Sequence, residues 1–175
     1  LYAIEIRKGV IVYIYYVYGV TGGDTNEYAR NHTYQILHDV LDDCHKQLPG
    51  PKMIVGDMNF SPQKLESFLH HDEQDEFINL GQIASSFGGN DNETTCKANE
   101  YSEPTVRDYV LVNQDALSNI STFGIDHEAE LPVHSVIRIG FKKHQDRCKE
   151  QVVSLPKSFN SIFINKCNEA YTNSN

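Results

Sequence analysis

Apolar stretches alternate with polar, Gly- and Pro-marked breaks along this chain, and the period of each stretch points to its element. Leu1 to Ile6 and Val10 to Tyr18 are rich in Val, Ile and Tyr and flank Arg7-Lys8-Gly9, which predicts a β-hairpin with glycine in the turn. The second arm is apolar or aromatic throughout, so it is expected inside a sheet covered on each side. Tyr18-Gly19-Val20-Thr21-Gly22-Gly23 reads as a loop. Beyond it Ala29, Thr33, Ile36, Leu37, Val40, Leu41, Cys44 and Leu48 recur at helical spacing, with Asp24 or Thr25 as the cap. Asp39, Asp42, Asp43 and Lys46 fall on its outer, solvated face.

Pro49-Gly50-Pro51 ends that helix and leads into Lys52-Met53-Ile54-Val55-Gly56-Asp57-Met58-Asn59-Phe60-Ser61-Pro62. Met53 to Val55 is a short buried strand, and Gly56 lets the backbone turn sharply at its end. The turn presents an acid, Asp57, and an amide, Asn59, two residues apart. The acid can accept a proton or hydrogen bond from water, and the amide can donate two N–H groups to a phosphoryl oxygen. Taken alone, Gly-Asp-Met-Asn is also an ordinary turn composition. Its position at the end of a strand is where open α/β folds place ligands.

Ser61-Pro62 then predicts a helix cap and first turn, with the helix running to about Leu69. His70-His71-Asp72-Glu73 is an exposed helix end, since adjacent helical residues do not face one another. Phe77 to Leu80 is a short strand, and Ser85 to Glu103 is a long polar surface loop. Thr105 to Asn113, Ile120 to Ile125 and His134 to Phe141 are strands. From Lys142 the composition turns charged and then Asn/Ser-rich. We therefore divide the chain into a domain over 1–141 and a tail over 142–175, with a helix expected around Phe159 to Tyr171.

A length of 175 residues fits one domain with a real core. The mean hydropathy of -0.47 is that of a globular chain, and no apolar run is long enough for a membrane helix. A net charge of -9 argues against a protein that coats nucleic acid, though not against a nuclease whose site is built from carboxylates. Cys44, Cys96, Cys148 and Cys167 are scattered without a C-x-x-C pair, which favours reduced, structural thiols and an intracellular setting. Three short glycosylation triplets, beginning at Asn31, Asn92 and Asn119, carry no weight without a secretory signal.

Four groups thus stand at strand ends: Tyr18, the Asp57/Asn59 pair, Asp108 and His134. In Gly56-Asp57-Met58-Asn59, Val106-Arg107-Asp108-Tyr109-Val110-Leu111, Pro132-Val133-His134 and the upstream Val17-Tyr18-Gly19, the chain resembles the endonuclease/exonuclease/phosphatase superfamily, DNase I-like in fold. The resemblance spans roughly residues 1 to 141 and matches the C-terminal portion of that domain. It implies a four-layer α/β sandwich, here incomplete at its N-terminal side. The missing part would be an N-terminal half or belong to a larger polyprotein. It also implies a phosphodiester hydrolase, most simply a DNA endonuclease of the kind that accompanies mobile-element reverse transcriptases, using Mg²⁺ or Mn²⁺.

The roles that follow from the resemblance are a water-orienting and metal-binding Asp57, a phosphate-holding Asn59, a phosphate-donating Tyr18, and a transition-state-stabilising His134 held by Asp108. Departures from the pattern are explicit. Val106 stands where an arginine is expected, with Arg107 one place later, and Val133 stands where an acid should precede His134. The expected metal-binding glutamate has no counterpart. These gaps imply weak or absent activity for the chain as given. Asp126-His127 is a rival Asp-His pair, but Glu128-Ala129-Glu130 after it does not read as the strand that should follow. Alternatives are a phosphoinositide or sphingolipid phosphohydrolase of the same fold, or a non-catalytic binding remnant. Residues 85–103 show neither a basic–aromatic strip nor an apolar membrane-inserting tip.

Overall fold

The computed structural model of this chain describes residues 1–71, 77–129 and 131–142. Its elements are β1 (Tyr2–Arg7), β2 (Val10–Tyr18), α1 (Glu27–Lys46), β3 (Lys52–Asp57), α2 (Pro62–His71) and β4 (Phe77–Asn79). A 3₁₀ helix (Leu80–Phe87), β5 (Asp108–Asn113), α3 (Gln114–Asn119), β6 (Ile120–Asp126) and β7 (Val136–Phe141) follow. The expected helix in the tail lies outside the described residues, as do Asp72 and Glu73.

Five strands form one sheet in the order β1-β2-β3-β5-β4, and β6 pairs with β7 in a second, two-stranded sheet. The β1–β2 hairpin is antiparallel, and β2 runs parallel to β3 with α1 in the connection between them. β5 is antiparallel to β3 and to β4. Side chains alternate across a strand, so each sheet face meets its own layer. On one face Tyr15, Val17, Ile54, Tyr109 and Leu111 pack against Leu37, Leu41 and Cys44 of α1 and Leu65 and Phe68 of α2. On the other, Val12, Met53, Val110 and Val112 pack with Leu80 and Ala84 of the 3₁₀ helix and with Ile120 and Phe123 of β6.

β2 is buried on its helix side at Tyr15 and Val17, whereas Ile11 near its start is exposed. On the opposite side Val12 is buried, whereas Tyr16 is 63% exposed. The reason is that β6 and β7 supply two strands against five, and an open cleft of ≈ 370 Å³ remains between Ile14, Tyr16 and Val55 and the β7 residues Ile137 and Phe141.

Several boundaries differ from the sequence reading. The cap of α1 is Asn26, whose side chain accepts the Ala29 N–H at 3.2 Å, because Asp24 is engaged elsewhere. The helix closes at Lys46, leaving Leu48 exposed. Part of the expected loop is the 3₁₀ helix, closed by Gly88 in the left-handed conformation. α3 is an additional short helix between β5 and β6, which Asn113 caps by accepting the Ala116 N–H at 2.9 Å. β7 begins at Val136, and His134 instead forms an isolated bridge with Cys96.

Candidate active site

The ends of three central strands carry the site. Tyr18 on β2 is paired with Asp57 on β3, and Asp57 with Asp108 on β5, so the three form one rung across the sheet. All three lie on the face opposite α1 and α2, by alternation from buried Val12, Met53 and Val110. Two glycines let the strand ends approach. A Cβ on Gly56, which adopts φ +144, would run into the backbone carbonyl of Val17, and one on Gly19 into that of Met58. The Gly19 N–H closes this approach on the Asp57 carbonyl at 2.7 Å.

Asp57 is only 6% exposed. Its Oδ1 accepts the Asn59 N–H at 2.9 Å, and its Oδ2 lies 3.8 Å from His134 Nε2. Burial raises its carboxyl above the usual range, aided by the charge of Asp108 and opposed by the Asn59 N–H, His134 and Arg107. Asn59 has the left-handed φ of 55, and its Nδ2 donates to the Gly19 carbonyl at 2.9 Å. One amide N–H is therefore committed to the chain, so a phosphate could take one donor from this side chain instead of two. The Tyr18 side chain is 61% exposed and opens to solvent beside Asp57.

His134 joins both acids. Its Nδ1 shares a hydrogen bond with Asp108 Oδ2 at 2.9 Å, which leaves Nε2 turned to Asp57. Thr95, at 2% exposure, builds this arrangement. Its hydroxyl accepts the N–H groups of Arg107 and Asp108, both at 3.0 Å, and its carbonyl accepts that of Ser135 at 2.8 Å. Thr95 thus ties the start of β5 to the His134 segment. Sequence reading missed it, since a lone Thr in a polar loop gives no signal until the Cys96–Thr105 and Cys96–His134 bridges fold that loop back. The rival His127 lies apart from the dyad, with Nδ1 on Ser135 Oγ at 2.8 Å and Nε2 on Glu93 at 3.0 Å, and Asp126 pairs with Arg138.

No family model matches this chain, and no curated protein does. Among solved structures, a variant of the 3′ phosphatase NExo from Neisseria, bound to product DNA hairpin, is similar over 77% of this chain at 15% identity and a TM-score of 0.57. The chain has a mixed α/β fold, a central sheet with helices, similar to the DNase I-like fold. It spans 62% of the length of that phosphatase.

Two departures seen in the sequence acquire a geometry against this fold. Arg107 pairs with Asp24, whose Oδ1 also accepts the Ser61 N–H at 2.7 Å. Burial works against the Asp24 charge, but Arg107 and Ser61 hold its carboxyl below the usual range. Val133 offers no donor to a metal. Mg²⁺ requires hard oxygen ligands in near-octahedral array. Among the described residues no group of three His, Cys, Asp or Glu side chains is placed to hold an ion. The Asp57 carboxylate is itself buried, hydrogen-bonded through Oδ1 and faced by His134 through Oδ2. The donor set present does not fit a Mg²⁺ or Mn²⁺ ion, and no step below is routed through one.

Proposed function

We propose that this chain is a phosphoester hydrolase acting on nucleic acid, with internal DNA phosphodiesters as the leading substrate. One observation carries the reading: Tyr18, Asp57 and Asp108 share a rung, and His134 bridges the two acids. Such a cluster suits in-line hydrolysis. Water attacks phosphorus, the opposite P–O ester bond breaks, and negative charge builds on the non-bridging oxygens.

Asp57 takes the proton of the attacking water. Its raised pKa makes the carboxylate a readier acceptor, as a general base requires. The Tyr18 hydroxyl and the remaining Asn59 amide N–H donate to the non-bridging oxygens. His134 Nε2 offsets the developing charge, and Asp108 fixes the ring through Nδ1. The similar solved structure is a 3′ phosphatase holding DNA, which supports nucleic acid as the substrate class and adds a 3′-phosphate end as a second ester to try.

The direct test is hydrolysis of plasmid DNA, abasic DNA and a 3′-phosphorylated hairpin, with Asp57→Ala and His134→Ala as controls. Turnover that each substitution lowers by about 10²-fold or more supports the site. Turnover that survives both substitutions rules it out. Val133, in the place of an acid, favours a second reading in which the cluster binds a phosphate without hydrolysing it. That reading is distinguished by DNA binding that His134→Ala weakens in a chain without turnover.

A further inference from the structure

His134 also lines a cavity of ≈ 440 Å³ that the mechanism above does not use. Its walls include Lys97, Asn99, Glu100, His127 and Val133, and it shares His134 with the candidate site. Lys97 is anchored there by its backbone, whose N–H donates to the Val133 carbonyl at 2.9 Å, and neighbouring Cys96 bridges to His134. The other cations near this rim are committed, Arg107 to Asp24 and Arg138 to Asp126. Among the described residues the exposed Lys97 makes no ion pair, so its ammonium group is available to a ligand.

We propose that this cavity is a second anion subsite, in which Lys97 holds the phosphate next along a polynucleotide strand while the first sits at Asp57 and His134. The inference rests on the phosphohydrolase reading and sharpens it. A strand with two phosphates in register would be held at both, whereas a mononucleotide would be held at one. The chain carries a net charge of -9, so its general field repels a polyanion and a local cation must supply the attraction. Glu100 lies in the same wall and opposes Lys97.

The test is equilibrium binding of a short fluorescently labelled single-stranded oligonucleotide, read by anisotropy over a salt series and compared with a mononucleotide competitor. The parent is expected to prefer the oligonucleotide by at least about tenfold. Lys97→Ala is expected to reduce that preference by about 5–10-fold and to flatten the plot of log K against log salt by about 0.7, the loss of one phosphate contact to a single strand. Lys97→Arg should restore both, and Glu100→Gln should tighten binding. Lys8→Ala, in the hairpin turn at the opposite end of β2 from Tyr18, serves as the control for general charge. No oligonucleotide preference in the parent, a Lys97→Ala result within twofold of it, or an equal loss in Lys8→Ala would each overturn the subsite. Failure of the hydrolase reading is read separately, as absence of turnover in a chain whose binding still depends on Lys97.

Discussion

Burial and the neighbouring Asp108 make ionised Asp57 costly, while the Asn59 N–H, His134 and Arg107 favour it, and the balance leaves the carboxyl above its ordinary value of 3.8. The folded protein therefore keeps this proton to higher pH than the unfolded chain does. Stability is lost as pH rises from 3.8 through the folded value, because the native state then binds more protons than the unfolded one. Asp57→Asn keeps the acceptor for the Asn59 N–H and removes the charge. It is expected to raise the melting temperature at neutral pH, to show no gain in acid below the unfolded pKa, and to cost about 10²–10⁴-fold in turnover. Thermal melts at two pH values check the first part. Asp24 runs the other way: its carboxyl is held down by Arg107, so its contribution is present above 3.8 and lost as pH falls through the lower folded value. Asp24→Asn should destabilise by about 1 kcal/mol at neutral pH, a difference that fades in acid. Gly56→Ala combines a left-handed φ with collision against the Val17 carbonyl. It should cost more than about 3 kcal/mol in chemical denaturation.

Among the elements, those written in a local pattern were legible from sequence. α1 repeats its apolar positions over five turns, β3 is a short apolar run between Pro51 and Gly56, and the β1–β2 hairpin announces itself through Gly9. What sequence did not reveal depends on partners far along the chain. Asp24 looks like a helix cap, but its carboxylate is taken by Ser61 and Arg107, so Asn26 caps instead. α3 is six residues long, too short for a periodic signal, and is held by Asn113. That side chain also accepts the Lys52 N–H at 2.9 Å and donates to the Gly50 carbonyl at 3.0 Å, tying the end of β5 to the start of β3. Asn113→Ala removes a cap and leaves buried groups unpaired. It is expected to destabilise by about 2–3 kcal/mol, read as a shift in denaturant midpoint with the slope unchanged.

Among the described residues, the five-stranded sheet has α1 and α2 on one face, and β6, β7, α3 and the 3₁₀ helix on the other. The candidate site stands at the ends of β2, β3 and β5 on the second face, where Gly-Asp-x-Asn marked it in the sequence. The sequence named the residues that the fold brings together, Tyr18, Asp57, Asn59, Asp108 and His134. It could not show that Asn59 spends one N–H on Gly19, nor that Thr95 fastens the dyad, since both follow from loops folding back over the strand ends. The same layout places no three-ligand cluster among the described residues. Titration with Mg²⁺ or Mn²⁺ to millimolar levels is therefore expected to leave the melting temperature unchanged. An ion held by the folded state at 100 times its Kd would add about 2.7 kcal/mol.

The convergence of a phenol, a carboxylate pair and an imidazole on one phosphate can be read directly by NMR of the Tyr and His rings during titration with a 3′-phosphorylated dinucleotide. The ring signals of Tyr18 and His134 are expected to move together along one binding curve, and both responses should weaken together in Asn59→Asp, which puts a negative charge in place of a phosphate donor. Movement of one ring without the other, or two curves with different Kd values, would contradict a single phosphate site at the end of this rung.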